Sequence, residues 1–268
     1  MSDCAYRPQW VCLYFYLKFT FMAVKQHIPN TLTLANLTSG VVAVIMILQG
    51  EFVLASLFII IAAVFDFLDG TAARLLDARS ELGKQLDSLA DIVSFGVAPA
   101  IMMFQLLSAG CEGSCNILER YGITPYFALL IPVCSAIRLA KFNIDLSQEE
   151  NFIGLPTPAN ALFFASLPLI LLLQDTLQPL VNLEFLVDFL SNSRVLAILT
   201  VLFSYLLISD FRMFSMKFKN GKWNGNEHRY LFLSGSLILA FLFSFQAVPL
   251  ILLLYFGLSM IFQRRLTA

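Results

Sequence analysis

The chain has 268 residues, of which 59% are hydrophobic and only 13% charged, with a formal net charge of -1 and a mean hydropathy of +0.79. So apolar a composition excludes an ordinary water-soluble domain and points to a polytopic membrane protein. No nucleic-acid partner is expected.

Residues 1–27 read as an N-terminal extension. Val11 to Phe21 is rich in aromatics, interrupted by Lys18, too short to span and without a small-residue cleavage site, which argues against a secretory signal. Two readings are open: an interfacial helix that dips Phe15, Tyr16 and Phe19 into the headgroup boundary, or a native start at Met22. Apolar stretches long enough to cross about 30 Å of hydrocarbon then follow at Leu32 to Gln49, Phe52 to Arg74, Gly83 to Leu107, Thr124 to Phe142, Thr157 to Leu173 and Arg194 to Ser209. Cys111 and Cys115, in the loop after the third, read as two free thiols, with a small disulfide as the alternative in an oxidising compartment. Lys217 to Arg229 is a polar loop suited to anionic headgroups. As one helix, Tyr230 to Phe262 would be about 50 Å long, too long for one crossing, so a break is expected near Gln246-Ala247-Val248-Pro249. The expected fold is an all-α membrane bundle of about eight spans, with a core at 28–210, a basic loop at 211–229 and a C-terminal helical pair at 230–268.

Basic residues set the orientation, because cytoplasmic connections retain Lys and Arg. With the start of span one inside, Lys25, Arg74, Arg79, Lys84, Arg138, Lys141, the basic residues from Arg212 to Arg229, Arg264 and Arg265 all fall on the cytoplasmic side. Only Arg120 and Arg194 fall outside. The expected location is the cell (inner) membrane, with the ends of spans two and three at the cytoplasmic face.

Those ends carry Asp66, Asp69, Asp87 and Asp91. An ionisable side chain in a membrane helix costs roughly 2.5–3.5 kcal/mol on insertion scales, so four together need compensation, such as bound cations. Asp66 and Asp69 are three apart and Asp87 and Asp91 four apart, so each pair shares a helix face. Gly70, Ala73 and Gly83 lie beside them, small enough to let a large polyanionic ligand approach the backbone. All-oxygen ligation favours Mg²⁺, Mn²⁺ or Ca²⁺, and two such ions among four carboxylates suit displacement at phosphorus. A single intramembrane Asp is often part of a helix-helix hydrogen bond or an ion path; four at these spacings are harder to explain as packing.

Asp66-x-x-Asp69-Gly70-x-x-Ala73-Arg74, eight further residues, then Gly83-x-x-x-Asp87-x-x-x-Asp91 resembles the complete signature of the CDP-alcohol phosphatidyltransferase family. The resemblance implies a six-helix core, a homodimer, and two divalent ions, Mg²⁺ or Mn²⁺, bound by the four aspartates at the cytoplasmic face. It implies Asp91 as general base, room for the CDP moiety at Gly70, Ala73 and Gly83, and support of the phosphate or the acidic cluster by Arg74. The two C-terminal spans lie beyond that core.

Four further segments resemble the serine-accepting branch of the family: Pro29 to Asn36, Ile92 to Ala100, Arg138 to Asn143 and Gly154 to Asn160. CDP-diacylglycerol and L-serine are the implied substrates. Lys141 stands where the branch commonly has Arg, keeping the charge but losing a bidentate fork; it either grips an anion or sits in the basic margin. Arg138 either pairs with a substrate phosphate or the serine carboxylate, or is a topological charge. Ser94 and Phe95 either shape the alcohol pocket or pack helices. Thr33 and Asn36, one turn apart in span one, carry the weakest indication, since such polar residues often only bond neighbouring helices. The rivals are the same chemistry with glycerol 3-phosphate or inositol, an ether-lipid donor, and a cation transporter, which would place its acids near the midplane of broken, repeated helices.

Overall fold

The computed structural model describes residues 9–78, 80–109, 122–144, 152–173, 183–213 and 226–266. Helix α1 (Gln9–Leu48) turns at Gly50 into α2 (Phe52–Leu75). Gly50 has φ +82, a left-handed conformation that glycine adopts at no steric cost. Next, α3 (Glu81–Asp91) opens on Ser80, whose hydroxyl accepts from the Gly83 N–H and so satisfies one of the unpaired donors of the first turn. It passes through a π-helical stretch, Ile92–Val97, into α4 (Ala98–Ala109). A 3-10 turn, Thr124–Leu129, leads into α5 (Leu130–Ile144). The remaining helices are α6 (Thr157–Leu173), α7 (Glu184–Ser191), α8 (Ser193–Ile208), α9 (Glu227–Phe243) and α10 (Ala247–Leu266).

Among the described residues, five segments are long and apolar enough to cross a membrane: His27–Leu48, Phe52–Leu75, Glu81–Ala109, Thr124–Ile144 and Arg229–Phe262. The last is a hairpin and not a single rod. Ser244 takes φ +50 where α9 ends, and the chain returns with the Tyr255 ring 5.4 Å from that of Phe232. A Cβ built at Gly235 would lie 2.8 Å from Leu254 Cδ2. The expected break near Gln246 therefore falls at Ser244–Gln246. Helix α6, with 17 residues, is at the short end of what crosses hydrocarbon, and α7 meets α8 at 85°. With that bent pair and both arms of the hairpin, the described residues form the polytopic all-α bundle expected.

Other features depart from expectation. Helix α1 is continuous from Gln9, so most of the N-terminal extension prolongs the helix of span one; 40 residues reach about 60 Å, and part of it must lie outside the hydrocarbon. Helix α7 is too short to register as an apolar span. A two-residue antiparallel pair, β1 (Phe152–Ile153) with β2 (Arg212–Met213), joins the approach to α6 with the exit of α8. The Cys111 and Cys115 loop, Arg79, Arg120 and most of the basic loop lie outside the described residues.

Among the described residues, two apolar clusters hold the bundle together. In the first, Ala43 and Ile47 of α1 and Ala55, Ile59 and Ala62 of α2 meet Phe95, Met102 and, from α6, Ala161 and Ala165. Small residues let these backbones approach, which matters where lipid is as apolar as the interface and packing supplies the attraction. In the second, Phe163, Phe164 and Leu167 of α6 pack against α4, α5, α8 and α10; Phe163 stacks on Phe203 with centroids 4.0 Å apart. Helix α6 belongs to both clusters. Its start is pinned by Gly154, which at φ +75 donates to Phe211 O at 2.9 Å. A Cβ at Gly154 would fall 2.6 Å from Leu207 O.

Candidate active site

Asp66 and Asp69 sit in the C-terminal half of α2, Asp87 in the second half of α3 and Asp91 at its end. Both helices lie against α1, and their acids converge there. Carboxylate oxygens of Asp66, Asp69 and Asp87 all lie within 4.8 Å of one another. Asp91, one turn beyond Asp87, is close enough to all three to interact electrostatically. Asp69 and Asp91 are only 5% and 6% exposed. Charges this close repel strongly unless a cation lies among them. Asp87 Oδ1 is buried with no hydrogen-bond partner, and convergent carboxylate oxygens with a free lone pair suit a hard divalent cation. The acidic cluster therefore fits the metal that the motif implies.

Helix α1 supplies the back wall. Thr33 Oγ1 donates to Asp69 Oδ2 at 2.6 Å, and Asn36 Nδ2 donates to Asp91 Oδ1 at 3.2 Å. These two residues, given least weight by sequence, touch two of the four acids and orient them. Ser94 is fully buried and donates to Asn36 O at 3.0 Å. It lies so close to Gly40 that a Cβ there would clash with Ser94 Oγ. Phe95, with no exposure, belongs to the first apolar cluster. Both therefore seat the π-helical stretch against α1, and neither reaches open space. A π-helical stretch directly after Asp91 shifts the register of α4 relative to α3, as such insertions do at functional sites.

The opposite side of the acids is open. Nothing lies within 4 Å of a Cβ built at Gly70, Ala73 is half-buried and Arg74 exposed. Arg74 folds back on its own helix, donating from Nε to Gly70 O at 2.9 Å. Gly83 is tighter, since a Cβ there would meet Asn30 Oδ1 at 3.1 Å and Ser80 Oγ at 3.0 Å. Lys84 Nζ donates to Asn143 O at 3.0 Å and Asn143 Nδ2 to Ser88 Oγ at 2.8 Å, clasping α3 to the end of α5.

Arg138 and Lys141 separate cleanly. Lys141 is exposed. Arg138 is 9% exposed, donates from Nη1 to Thr157 Oγ1 at 3.4 Å, and lies near enough to Asp91 and Tyr255 to interact electrostatically with both. Its Nε has no partner. Ser135, one turn before Arg138 on α5, and Asn160, one turn after Thr157 on α6, are fully buried with unpaired side-chain atoms. Thr157, Asn160, Ser135 and Asn143 gave no individual signal in sequence; only their place in the Arg138 to Asn143 and Gly154 to Asn160 segments, or one turn from them, pointed here.

The sequence model of the CDP-alcohol phosphatidyltransferase family matches residues 26–206. The CDP-diacylglycerol-serine O-phosphatidyltransferase of Bacillus subtilis is 34% identical over 204 residues, covering 74% of this chain and 99% of the relative. That of Helicobacter pylori (strain 26695) is 32% identical over 198 residues, 73% of this chain and 74% of the relative. The archaetidylserine synthase of Methanothermobacter thermautotrophicus is 34% identical over 142 residues, 52% of this chain and 56% of the relative. The match from before Thr33 to the end of α8 takes in every acid of the cluster and both of its α1 partners, and the chain belongs to the CDP-alcohol phosphatidyltransferase family.

Proposed function

We propose that the protein transfers the phosphatidyl group of CDP-diacylglycerol to L-serine, releasing CMP. The observation that carries this reading is the convergence of Asp66, Asp69 and Asp87 within 4.8 Å beside a nearly inaccessible Asp91, on the residues of the family motif. Asp66, Asp69, Asp87 and Asp91 would hold two divalent ions, Mg²⁺ or Mn²⁺. When bound, such ions neutralise a diphosphate and the charge that develops on its leaving oxygen. Gly70 leaves the space in which the CDP moiety approaches α2.

The protein's own groups supply the rest. Asp91 takes the proton of the serine hydroxyl as its oxygen bonds to the lipid-side phosphorus, and the bond from that phosphorus to the CMP oxygen breaks. Asn36 holds Asp91 in place through Oδ1, and Asp91 Oδ2 would take the hydroxyl proton. Arg138, buried beside Asp91 with Nε unpaired, receives the serine carboxylate as a charge-assisted pair. The serine reading is supported by the relatives, whose names share serine while the lipid differs between CDP-diacylglycerol and an archaeal type.

The site would face the cytoplasm at the inner membrane, and the working form would be a homodimer, as the family resemblance implies. Incorporation of labelled L-serine into chloroform-soluble lipid by purified protein tests the acceptor: label in phosphatidylserine supports it, and label transfer from inositol or glycerol 3-phosphate instead overturns it.

A further inference from the structure

Polar groups without partners collect at one depth of the bundle. Ser135 on α5 and Asn160 on α6 have no exposure, and neither the Ser135 hydroxyl nor either end of the Asn160 amide has a hydrogen-bond partner among the described residues. A serine in a helix commonly bonds back to the carbonyl one turn before, as Ser39 and Ser56 do here; Ser135 does not. Burying such groups unpaired costs free energy that nothing around them returns. A ligand that pairs with them accounts for their presence.

Their place relates them to the reacting end. Helix α5 ends at the clasp of Asn143 with Lys84, α6 starts at Thr157, and Arg138 Nη1 donates to Thr157 Oγ1 at 3.4 Å between them. Ser135 lies one turn before Arg138 and Asn160 one turn after Thr157, so both stand one turn deeper than that bond, on the sides of their helices that carry it. Both helices lie against the π-helical stretch that follows Asp91, and a Cβ built at Gly96 in that stretch would be 3.6 Å from the Ser135 Cβ. Arg138 lies within electrostatic reach of Asp91, and its Nε has no partner among the described residues. Ser135, Arg138 and Asn160 thus border the space into which an acceptor brings its hydroxyl.

We infer that Asn160 and Ser135 form the subsite for the α-ammonium group of the acceptor, and so select an amino acid over other alcohols. The inference deepens the serine-transferase reading and rests on it. With the serine hydroxyl at Asp91 and the carboxylate at Arg138, the ammonium is the one polar group still to be placed. Asn160 Oδ1 and Ser135 Oγ accept from it, and Asn160 Nδ2 donates to the carboxylate beside Arg138. An uncharged amide offers one end to each half of the zwitterion without burying a further charge. A hydroxy acid that lacks the ammonium leaves the Asn160 oxygen unpaired, the loss against which a polar site discriminates most strongly.

The test compares L-serine with 3-hydroxypropionate, which keeps the hydroxyl and carboxylate but has no ammonium, as acceptors in CMP release by the full-length protein. Asn160→Leu replaces the amide with an apolar group of similar size. Its kcat/KM should fall about a hundredfold or more for L-serine and about tenfold or less for 3-hydroxypropionate, so that the ratio between them falls at least about tenfold. Tm in detergent should hold or rise, because a buried unpaired amide is gone. Ser135→Ala, a smaller change, should lower the same ratio about threefold or more. Equal losses for the two acceptors in Asn160→Leu, or an unchanged L-serine kcat/KM in both variants, overturns the inference and leaves helix packing as the role of these groups. Should Asn160→Leu fail to fold, Ser135→Ala decides alone, and an unchanged ratio overturns the inference. Failure of the transferase reading shows separately, as wild-type protein that releases no CMP with any acceptor, or releases it with glycerol 3-phosphate or inositol but not with serine.

Discussion

At the residue scale, the proposed chemistry rests on four carboxylates, two of which bond to α1 side chains, Asp69 to Thr33 and Asp91 to Asn36. Asp91→Asn keeps its size and its contact with Asn36 but cannot accept a proton, so turnover should fall at least about a thousandfold while donor binding persists in part. Asp66→Asn should lose metal affinity as well. Metal titration of donor binding separates the two, and equal loss of binding in both variants would remove Asp91 from the role of dedicated base. Thr33→Val deletes the 2.6 Å bond to Asp69. Loss of such an outer partner typically weakens metal affinity about 10–100-fold, so the half-saturating metal concentration should rise by that order with little change in kcat at saturating metal. The acids were legible in the sequence because a charge in an apolar helix has few explanations. Thr33 and Asn36 were scarcely legible, because a membrane helix uses Thr and Asn equally for packing, and only the position of α1 across from Asp69 and Asp91 distinguishes the two uses.

At the element scale, the site depends on close contact between helices. Gly40→Ala would place a Cβ 2.7 Å from the Ser94 Cα, a backbone atom that no rotamer change can move. Forcing α1 from the π-helical stretch should cost roughly 1–3 kcal/mol and displace Asn36 from Asp91. A lower Tm in detergent together with reduced turnover is the expected outcome; unchanged values of both would contradict the contact. Gly154→Ala combines φ +75 with a 2.6 Å approach to Leu207 O and should destabilise by about 1–3 kcal/mol, loosening the start of α6 where Thr157 meets Arg138. The helices themselves were legible from apolar length, and the hairpin break was expected within a few residues of Ser244. The π-helical stretch, α7 and the β1–β2 pair were not. Each is set by how neighbouring segments meet, and hydropathy along one segment carries no record of that.

At the scale of the whole molecule, a catalytic end and a lipid-embedded body are joined through α6. Its first turn belongs to the Arg138 group, its middle to both apolar clusters, and its outer face to an apolar cleft under the hairpin. The sequence separated the motif-bearing core from the C-terminal pair but gave the pair no task, since its residues are uniformly apolar and only folding brings Val248 to Tyr255 against α6. Removal of divalent metal should abolish turnover without unfolding the bundle, because the apolar clusters that hold the helices lie apart from the acids; loss of helical circular dichroism on chelation would contradict that separation.

The most direct test of the central claim is CMP release by the purified, detergent-solubilised protein given CDP-diacylglycerol, with Mn²⁺ or Mg²⁺ and L-serine each supplied and withheld. Release that requires both metal and serine is the predicted result. Release that proceeds without metal, or with glycerol 3-phosphate or inositol but not serine, would contradict the account at the metal site or at the acceptor respectively.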